Sequence, residues 1–248
     1  MTDVHAIVVD GLSKKYAKSA DFSLAKVSFT VPKGERIAIL GPNGAGKSTL
    51  ISILTGVLDS TEGEVLYLDN QDQSINKELV KKSIGYAPQE YALFDALTPS
   101  QHINYFGALY GLDPDQIEQR KTELLEKFEL SDQKNKKVRT FSGGMKRRMN
   151  LIMSLLHDPQ IIFLDEPTAG VDIFQKKIIL DYLNEITDQG KTIFYTSHQM
   201  EEATNLCNRV ILLSNGDVVM DKNMSELDLS HKDLNEVFIN RIEAHKNG

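Results

Sequence analysis

Residues Arg36 to Thr49 read RIAILGPNGAGKST: a β-rich apolar run, a glycine-rich turn, and then KSTLISILTGVL with the spacing of a helix. Gly41, Pro42, Asn43, Gly44, Ala45, Gly46, Lys47 and Ser48 satisfy the pattern G-x-x-x-x-G-K-[ST] between a predicted strand and a predicted helix. That context gives the pattern its chemistry. The glycines let backbone N–H groups face phosphates, the Lys47 ammonium reaches the β and γ phosphates, and the Ser48 hydroxyl suits Mg²⁺. A flexible strand-to-helix turn is the plain alternative, and this residue set disfavours it. The chain is expected to bind a nucleoside triphosphate.

Outward from this loop, short apolar runs alternate with helical stretches, the pattern of an α/β protein with a largely parallel sheet. HAIVVD, AKVSFTV, GEVLYLD, SIGYAPQ, IIFLDE, TIFYTS and RVILLS read as strands, and LLSNGDVVM reads as a hairpin about an Asn-Gly pair. Between about Gln89 and Pro159 the β-rich runs stop. HINYFGALYGL and PDQIEQRKTELLEKFEL carry helical spacing and predict a helical insertion. The tail HKDLNEVFINRIEAHKNG predicts an amphipathic helix with a disordered tip. The predicted division is one 248-residue unit: 1–88 with 159–220 as the core, 89–158 helical, and 221–248 a short helical tail.

Bulk composition narrows the function. The chain is 41% hydrophobic and 25% charged with a formal charge of −7, a balance that weighs against a nucleic-acid binder. The lone Cys207 can form no internal disulfide and reads as a small buried hydrophobe. No window approaches the roughly 18 apolar residues of a membrane span, and MTDVHAIVVD lacks a basic start followed by an apolar run. A cytoplasmic setting is expected.

In an open parallel sheet, ligand chemistry gathers where the strands end. IIFLDEP ends an apolar strand in Asp165, placed to support Mg²⁺, and Glu166, placed to orient and deprotonate an attacking water. A surface turn closing a buried strand is the plainer reading of that pair taken alone. Gln89, ending IGYAPQ, and His198, ending TIFYTSH, lie at strand ends where a γ-phosphate would sit, Gln89 to meet metal and water, His198 to donate to the phosphate. Taken alone, each reads more plainly as a satisfied polar residue with no role, and only convergence on one site favours the functional reading. Tyr16 in LSKKYAK offers a stacking face for an adenine, with a packed or rim tyrosine as the equal alternative. Residues Phe141 to Asn150, FSGGMKRRMN, then raise a question. Ser142, Gly143 and Gly144 at the head of a helix form a second anion cradle, yet one nucleotide needs only one. Either this is a helix cap, or it serves a second nucleotide.

Together these residues resemble the nucleotide-binding subunit of ATP-binding cassette (ABC) transporters, over nearly the whole chain. The motifs run in order: an aromatic A-loop residue (Tyr16), Walker A (Gly41–Thr49, including Thr49), Q-loop (Gln89), signature (Ser142–Gly144), Walker B ending at Asp165 with Glu166 beyond it, D-loop (Asp172) and H-loop (His198). The resemblance implies a P-loop NTPase fold: a RecA-like α/β core, an antiparallel β subdomain on the N-terminal side and the inserted helical subdomain that carries the signature. It also implies MgATP as substrate and a head-to-tail dimer. In that dimer Ser142, Gly143 and Gly144 would cradle the partner's γ-phosphate and Asp172 would act across the interface. Transmembrane permease subunits would hold the pair at the cytoplasmic face of the plasma membrane.

The signature departs from the family's common LSGGQ at Phe141, an apolar exchange, and at Met145, which lacks the amide of Gln. SGGM followed by KRRMNL, with AGVD in the D-loop, looks most like the ATPases of type-2 exporters of drugs, lipids, polysaccharides or other envelope components. The run Lys146-Arg147-Arg148 reads as a solvated helix face rather than a lipid contact, and KNKKVR likewise. Tyr91, Leu93 and Phe94 in YALFDALTP are candidates either for a permease's coupling helix or for core packing. An importer or envelope lipid-trafficking ATPase is the nearest alternative; the short tail after Val219 argues against a large regulatory domain. A soluble ABC ATPase of DNA repair or translation is less favoured, because such chains carry two cassettes, long coiled coils or zinc cysteines.

Overall fold

The computed structural model describes residues 4–17, 19–197, 200–227 and 234–246 of the chain. In chain order the strands are β1 (Ala6–Lys15), β2 (Phe22–Pro32), β3 (Arg36–Leu40), β4 (Glu62–Leu68), β5 (Ile84–Ala87), β6 (Ile161–Asp165), β7 (Thr192–Ser197), β8 (Arg209–Ser214) and β9 (Asp217–Asn223). The helices are α1 (Lys47–Leu54), α2 (Lys77–Lys81), α3 (Pro99–Leu109), α4 (Pro114–Lys127), α5 (Gly143–Leu155), α6 (Ile173–Thr187), α7 (Met200–Leu206) and α8 (Leu234–Lys246).

The central sheet runs β5-β6-β7-β3-β8-β9, parallel except for β9 on its edge. Its parallel strands are buried on both faces, which is why they read as near-continuous apolar runs, whereas the edge strand β9 is largely open to solvent. Alternate residues divide between two cores. Ile37, Ile39, Phe163, Phe194 and Ile211 join the core shared with β1, β2, β4 and α1. Ala38, Leu40, Ile162, Leu164, Tyr195 and Leu212 join the core shared with α4, α5 and α6. Each large side chain so buried stabilises the fold by about 1.5–3 kcal/mol before entropy is counted.

β2, β1 and β4 form a separate antiparallel sheet in that order. Between β5 and β6 the only regular elements are helical, as the loss of β-rich runs there predicts. α3 and α4 each open with a reciprocal capping box, Thr98 with Gln101 and Asp113 with Gln116, and with a proline in the first turn. The β8–β9 hairpin turns through Asn215 and Gly216, both at positive φ (51° and 87°), the conformation a two-residue primed turn demands. α8 inserts Phe238 into the core and leaves Ile239 exposed, in keeping with an amphipathic tail. His231, Lys232, Asp233 and the tip Asn247-Gly248 lie outside the described residues. Cys207 is buried, as expected of a small hydrophobe. Among the described residues, no helix is long and apolar enough to cross a membrane.

Two expectations need correction. Gln89 does not end a strand: β5 stops at Ala87, because Pro88 has no N–H for the ladder, and Gln89 follows in the loop. Arg147 and Arg148 are not a solvated face but are 5% and 7% exposed. Arg147 donates to the carbonyls of Pro88 (3.4 Å) and Gln89 (2.8 Å) and lies over the Tyr91 ring at 4.9 Å. Arg148 donates to the Phe128 carbonyl at 2.7 Å. Two adjacent arginines can be buried this way because each finds backbone acceptors at a loop or a helix end, where carbonyls lack intrahelical partners.

Candidate functional site

The parallel register sets Leu40 beside Ser197, Thr196 beside Asp165 and Leu164 beside Ala87. The carboxyl ends of β3, β7, β6 and β5 therefore meet at one edge of the sheet. The glycine loop leaves β3 there, bending through Gly41 and Gly46 at φ 150° and 105°. A Cβ on Gly41 would lie 2.3 Å from the Leu213 carbonyl, and one on Gly46 2.4 Å from that of Ser23. Backbone closeness as well as conformation thus requires glycine at both.

The Lys47 ammonium folds back over the loop and donates to the carbonyls of Gly41 (2.9 Å) and Pro42 (3.1 Å). Burial lowers its pKa, while the nearby carboxylates of Glu166 and Asp165 pull in the other direction. Tyr16 stands on the rim, 43% exposed, with its hydroxyl 3.2 Å from that of Thr49 and the Lys14 ammonium 5.6 Å from the ring centre. An exposed aromatic face is thereby pinned to the end of the phosphate loop.

Asp165 is 2% exposed and accepts the Thr196 hydroxyl at 2.6 Å. The same Thr196 oxygen accepts the Glu166 N–H at 2.9 Å. Thr196, which sequence reading passed over, therefore fixes both acidic residues; a hydroxyl in a wholly buried strand was the available signal. Glu166 adopts φ 48°, a left-handed turn that carries its side chain out of strand register. The Gln89 side-chain amide donates to the Glu166 carboxylate at 3.4 Å. Asn43, Gly44, Gly46, Lys47, Ser48 and Thr49 share with Ser23, Gln89 and Glu166 the lining of one cleft of about 690 Å³. His198 lies outside the described residues; its neighbour Ser197 ends β7 at the same edge.

The second cradle lies elsewhere. Among the described residues, the cleft lining includes none of Ser142, Gly143 and Gly144. Ser142 caps α5 by accepting the Met145 N–H at 3.2 Å. Phe141 is buried and Met145 packs against the same core, so apolar packing takes the place of an amide at that position. Tyr91 donates its hydroxyl to the Gly143 carbonyl at 3.2 Å. Gly144 faces Gln175, whose side-chain oxygen would lie 1.4 Å from an added Cβ. Asp172 caps α6 through the N–H groups of Phe174 (3.0 Å) and Gln175 (3.1 Å). The Gln175 amide, the foremost of these backbone donors, holds the Asp172 carboxyl below its ordinary range.

The donors Ser48, Gln89 and Asp165 supply only hydroxyl, amide and carboxylate oxygen, the hard set that suits Mg²⁺ when phosphates and waters complete the shell. Among the described residues no cluster of three or more His, Cys, Asp or Glu could hold a metal, so such a site would need the substrate's own oxygens.

Comparison with known proteins agrees with this geometry. The ABC transporter family model matches residues 24–169. The linearmycin resistance ATP-binding protein LnrL of Bacillus subtilis is 35% identical, over 96% of this chain and 79% of that protein. The ABC transporter ATP-binding protein NatA of Bacillus subtilis is 36% identical over 87% and 89%, and the doxorubicin resistance ATP-binding protein DrrA of Mycobacterium tuberculosis is 37% identical over 91% and 68%. Among solved structures, an ATP-binding subunit of an ABC transporter superposes with a TM-score of 0.84 at 27% identity, covering 95% of this chain and 98% of that one. A dimeric bacterial ABC transporter cassette gives 0.78 at 26% identity, covering 88% and 98%. The chain belongs to the ABC transporter family, as an ATP-binding and ATP-hydrolysing subunit that powers membrane transport.

Proposed function

We propose that this chain works as a pair, either two copies or one copy with a homologous ATPase, set head to tail beneath transmembrane permease subunits at the cytoplasmic face of the membrane. We further propose that the assembly exports a drug-like, lipid or other envelope compound. Relatives named for linearmycin and doxorubicin resistance support the exporter reading. The observation that carries the paired arrangement is the separation of the two cradles: the cleft holds the phosphate loop, Gln89 and Glu166, while Ser142 to Gly144 lie outside it. A cradle with no nucleotide cleft of its own fits a partner's nucleotide.

In this reading Tyr16 stacks on the adenine, and residues Gly41 to Thr49 wrap the phosphates with Lys47 supplying the cation. Ser48, Gln89 and Asp165 would hold Mg²⁺, which when bound neutralises phosphate charge. Glu166 accepts a proton from the attacking water, Gln89 orients that water, and His198 donates to the γ-phosphate. Ser142 and the Gly143 and Gly144 amides donate to the γ-phosphate held by the other subunit, and Asp172 faces that subunit's loop. Binding closes the pair; loss of the γ-phosphate removes what joined it.

The 89–158 segment is proposed to move as a unit against the core, 1–88 with 159–220, with 221–248 as a tail. The permease would sit over the cleft lined by Gln89, Tyr91, Leu93, Asp95, Lys146 and Arg147. Tyr91 in this lining and Phe94 next to it in sequence are exposed and Leu93 is half-buried, which supports a docking role for the first two.

The experiment is Glu166→Gln. Turnover is expected to fall roughly 10²-fold or more, while ATP binding persists and an ATP-dependent dimer accumulates. Wild-type turnover would remove Glu166 from the mechanism.

A further inference from the structure

Glu202, on α7, is 1% exposed. A carboxylate so far from water is tolerated only where partners replace its hydration. One oxygen accepts the hydroxyls of Thr168 (2.6 Å), Tyr195 and Ser197 (3.3 Å); the other meets the Lys176 ammonium at 2.5 Å. Burial pushes this carboxyl up, but the bonds from Lys176, Thr168 and Tyr195 outweigh it and hold the group below its ordinary range. Glu202 is thus a fixed anion.

Its partners sit on the segments next to the proposed hydrolytic carboxylates. Tyr195 and Ser197 flank Thr196 on β7 and point to the opposite face of the sheet, by the alternation of a strand. Thr196 holds Asp165 and the Glu166 N–H from the other face. Thr168 lies two residues beyond Glu166, in the turn that the Ala169 N–H closes on the Glu166 carbonyl at 3.1 Å. Lys176 is in the first turn of α6, where its N–H bonds the Asp172 carbonyl at 2.9 Å. One buried carboxylate therefore joins the strand end behind Asp165, the turn after Glu166 and the helix that Asp172 caps.

We propose that Glu202 is a positioning residue for ATP hydrolysis, holding the end of β7 and the Thr168 turn so that Asp165 and Glu166 keep their geometry. The proposal rests on the assignment of those two carboxylates made above. Glu202 touches no substrate in this role, so its loss is expected to lower kcat rather than weaken ATP binding.

The test compares Glu202→Gln, Thr168→Val and Glu166→Gln in the full chain, measuring kcat, KM and Kd for ATP, and Tm. The expected result is kcat down by roughly tenfold in Glu202→Gln, the low end of the loss when an orienting partner is removed, and by about three- to tenfold in Thr168→Val, the scale of one hydrogen bond, with KM and Kd within about twofold. Thr168→Val removes one hydroxyl at nearly constant volume and decides the matter alone if Glu202→Gln fails to fold. Lowered Tm with wild-type kcat well below the melting range would overturn the proposal and leave Glu202 a stabilising residue only. ATP binding lost in step with kcat would overturn it as well. If Glu166→Gln is inactive while the other two turn over normally, the positioning role alone fails; if Glu166→Gln turns over normally, the carboxylate assignment fails and takes this proposal with it.

Discussion

The two anion cradles, Gly41–Thr49 and Ser142–Gly144, are built from the same materials and differ in what surrounds them. The first is fed by a buried strand, bent through glycines that backbone closeness makes irreplaceable, and supplied with a lysine, a glutamine and a glutamate in one cleft. The second has Ser142 and Gly143 exposed and a serine engaged in capping its own helix, and it lies outside the cleft that holds Lys47. In the proposed pairing, the difference separates a site from half of one. Backbone N–H groups and a helix dipole attract an anion, but the charge of a triphosphate needs a cation and an enclosing wall. A second nucleotide-loaded chain completes the donor-only cradle in the proposed pairing.

The sharpest way to break that contrast is to remove the cation from the complete cradle. Lys47→Ala is expected to weaken ATP binding by roughly 10²-fold, the scale of losing hydrogen bonds between a charged donor and a charged acceptor. Calorimetric titration reads it. An unchanged affinity would mean that the backbone cradle suffices, and the two cradles would then be equivalent.

The second prediction concerns how α5 is anchored. Its head is the exposed cradle; just past its foot His157 is buried, stacked on Tyr110 with ring centres 3.8 Å apart and bonded to the Ile84 carbonyl at 2.9 Å. Burial lowers His157 to about 4, against the bond from Ile84, which raises it. An unfolded chain takes up the proton near pH 6.5 while the folded chain does not until about 4. Stability from this group is therefore complete above about pH 6.5, declines as pH falls, and is lost by about pH 4. At pH 5 the loss is about 2 kcal/mol, at 1.36 kcal/mol per unit below the unfolded pKa. Thermal melts at pH 7 and pH 5 should separate less in His157→Gln than in the natural chain; equal separations would show that other groups set the acid limb.

The contrast also marks where sequence reading succeeds. The complete cradle is legible because a single local segment carries all its parts: β3, the loop and α1 are contiguous, and strand period, glycines and Lys47 fall within fourteen residues from Arg36 to Thr49. Asp165 and Glu166 are legible because a fully apolar run ends on them. The Asn215-Gly216 hairpin is legible because its turn chemistry is local. What sequence reading misses depends on packing between distant elements. Thr196 matters because β7 pairs with β6, and Glu202 because α7 folds back on β7. Arg147 and Arg148 look like a solvated run because three basic residues in a row usually are one; their burial depends on the carbonyls of Gln89 and Phe128, which only the folded chain brings within reach.

Ser142→Ala tests the second cradle directly. As a cap, the hydroxyl contributes about 1 kcal/mol to the stability of α5. As a donor to a partner's nucleotide it contributes to dimerisation. In the Glu166→Gln background, ATP-dependent dimerisation is expected to weaken about tenfold, while ATP affinity of the monomer stays unchanged. Sedimentation velocity with and without ATP measures the first, titration at low protein concentration the second. Equal losses in both would mean that Ser142 serves its own chain's nucleotide.

Tyr16 carries the smallest expected effect and bears on how far the complete cradle extends. Its hydroxyl is tied to Thr49, so the ring is held at the end of the phosphate loop and little ordering is required on binding. Base stacking on an aromatic ring is lost at about 1 kcal/mol or more on truncation, so Tyr16→Ala should raise the Kd for ATP about fivefold and leave turnover at saturation unchanged. Tyr16→Phe keeps the ring and loses the tie to Thr49; its Kd should move by less than twofold if stacking dominates. Should Phe weaken binding as much as Ala does, the hydroxyl would be the functional group, and Tyr16 would belong to the phosphate loop as a brace for Thr49 and not to the adenine. Fluorescence titration with ATP against inorganic triphosphate separates these outcomes, because only a stacking residue distinguishes a ligand with a base from one without.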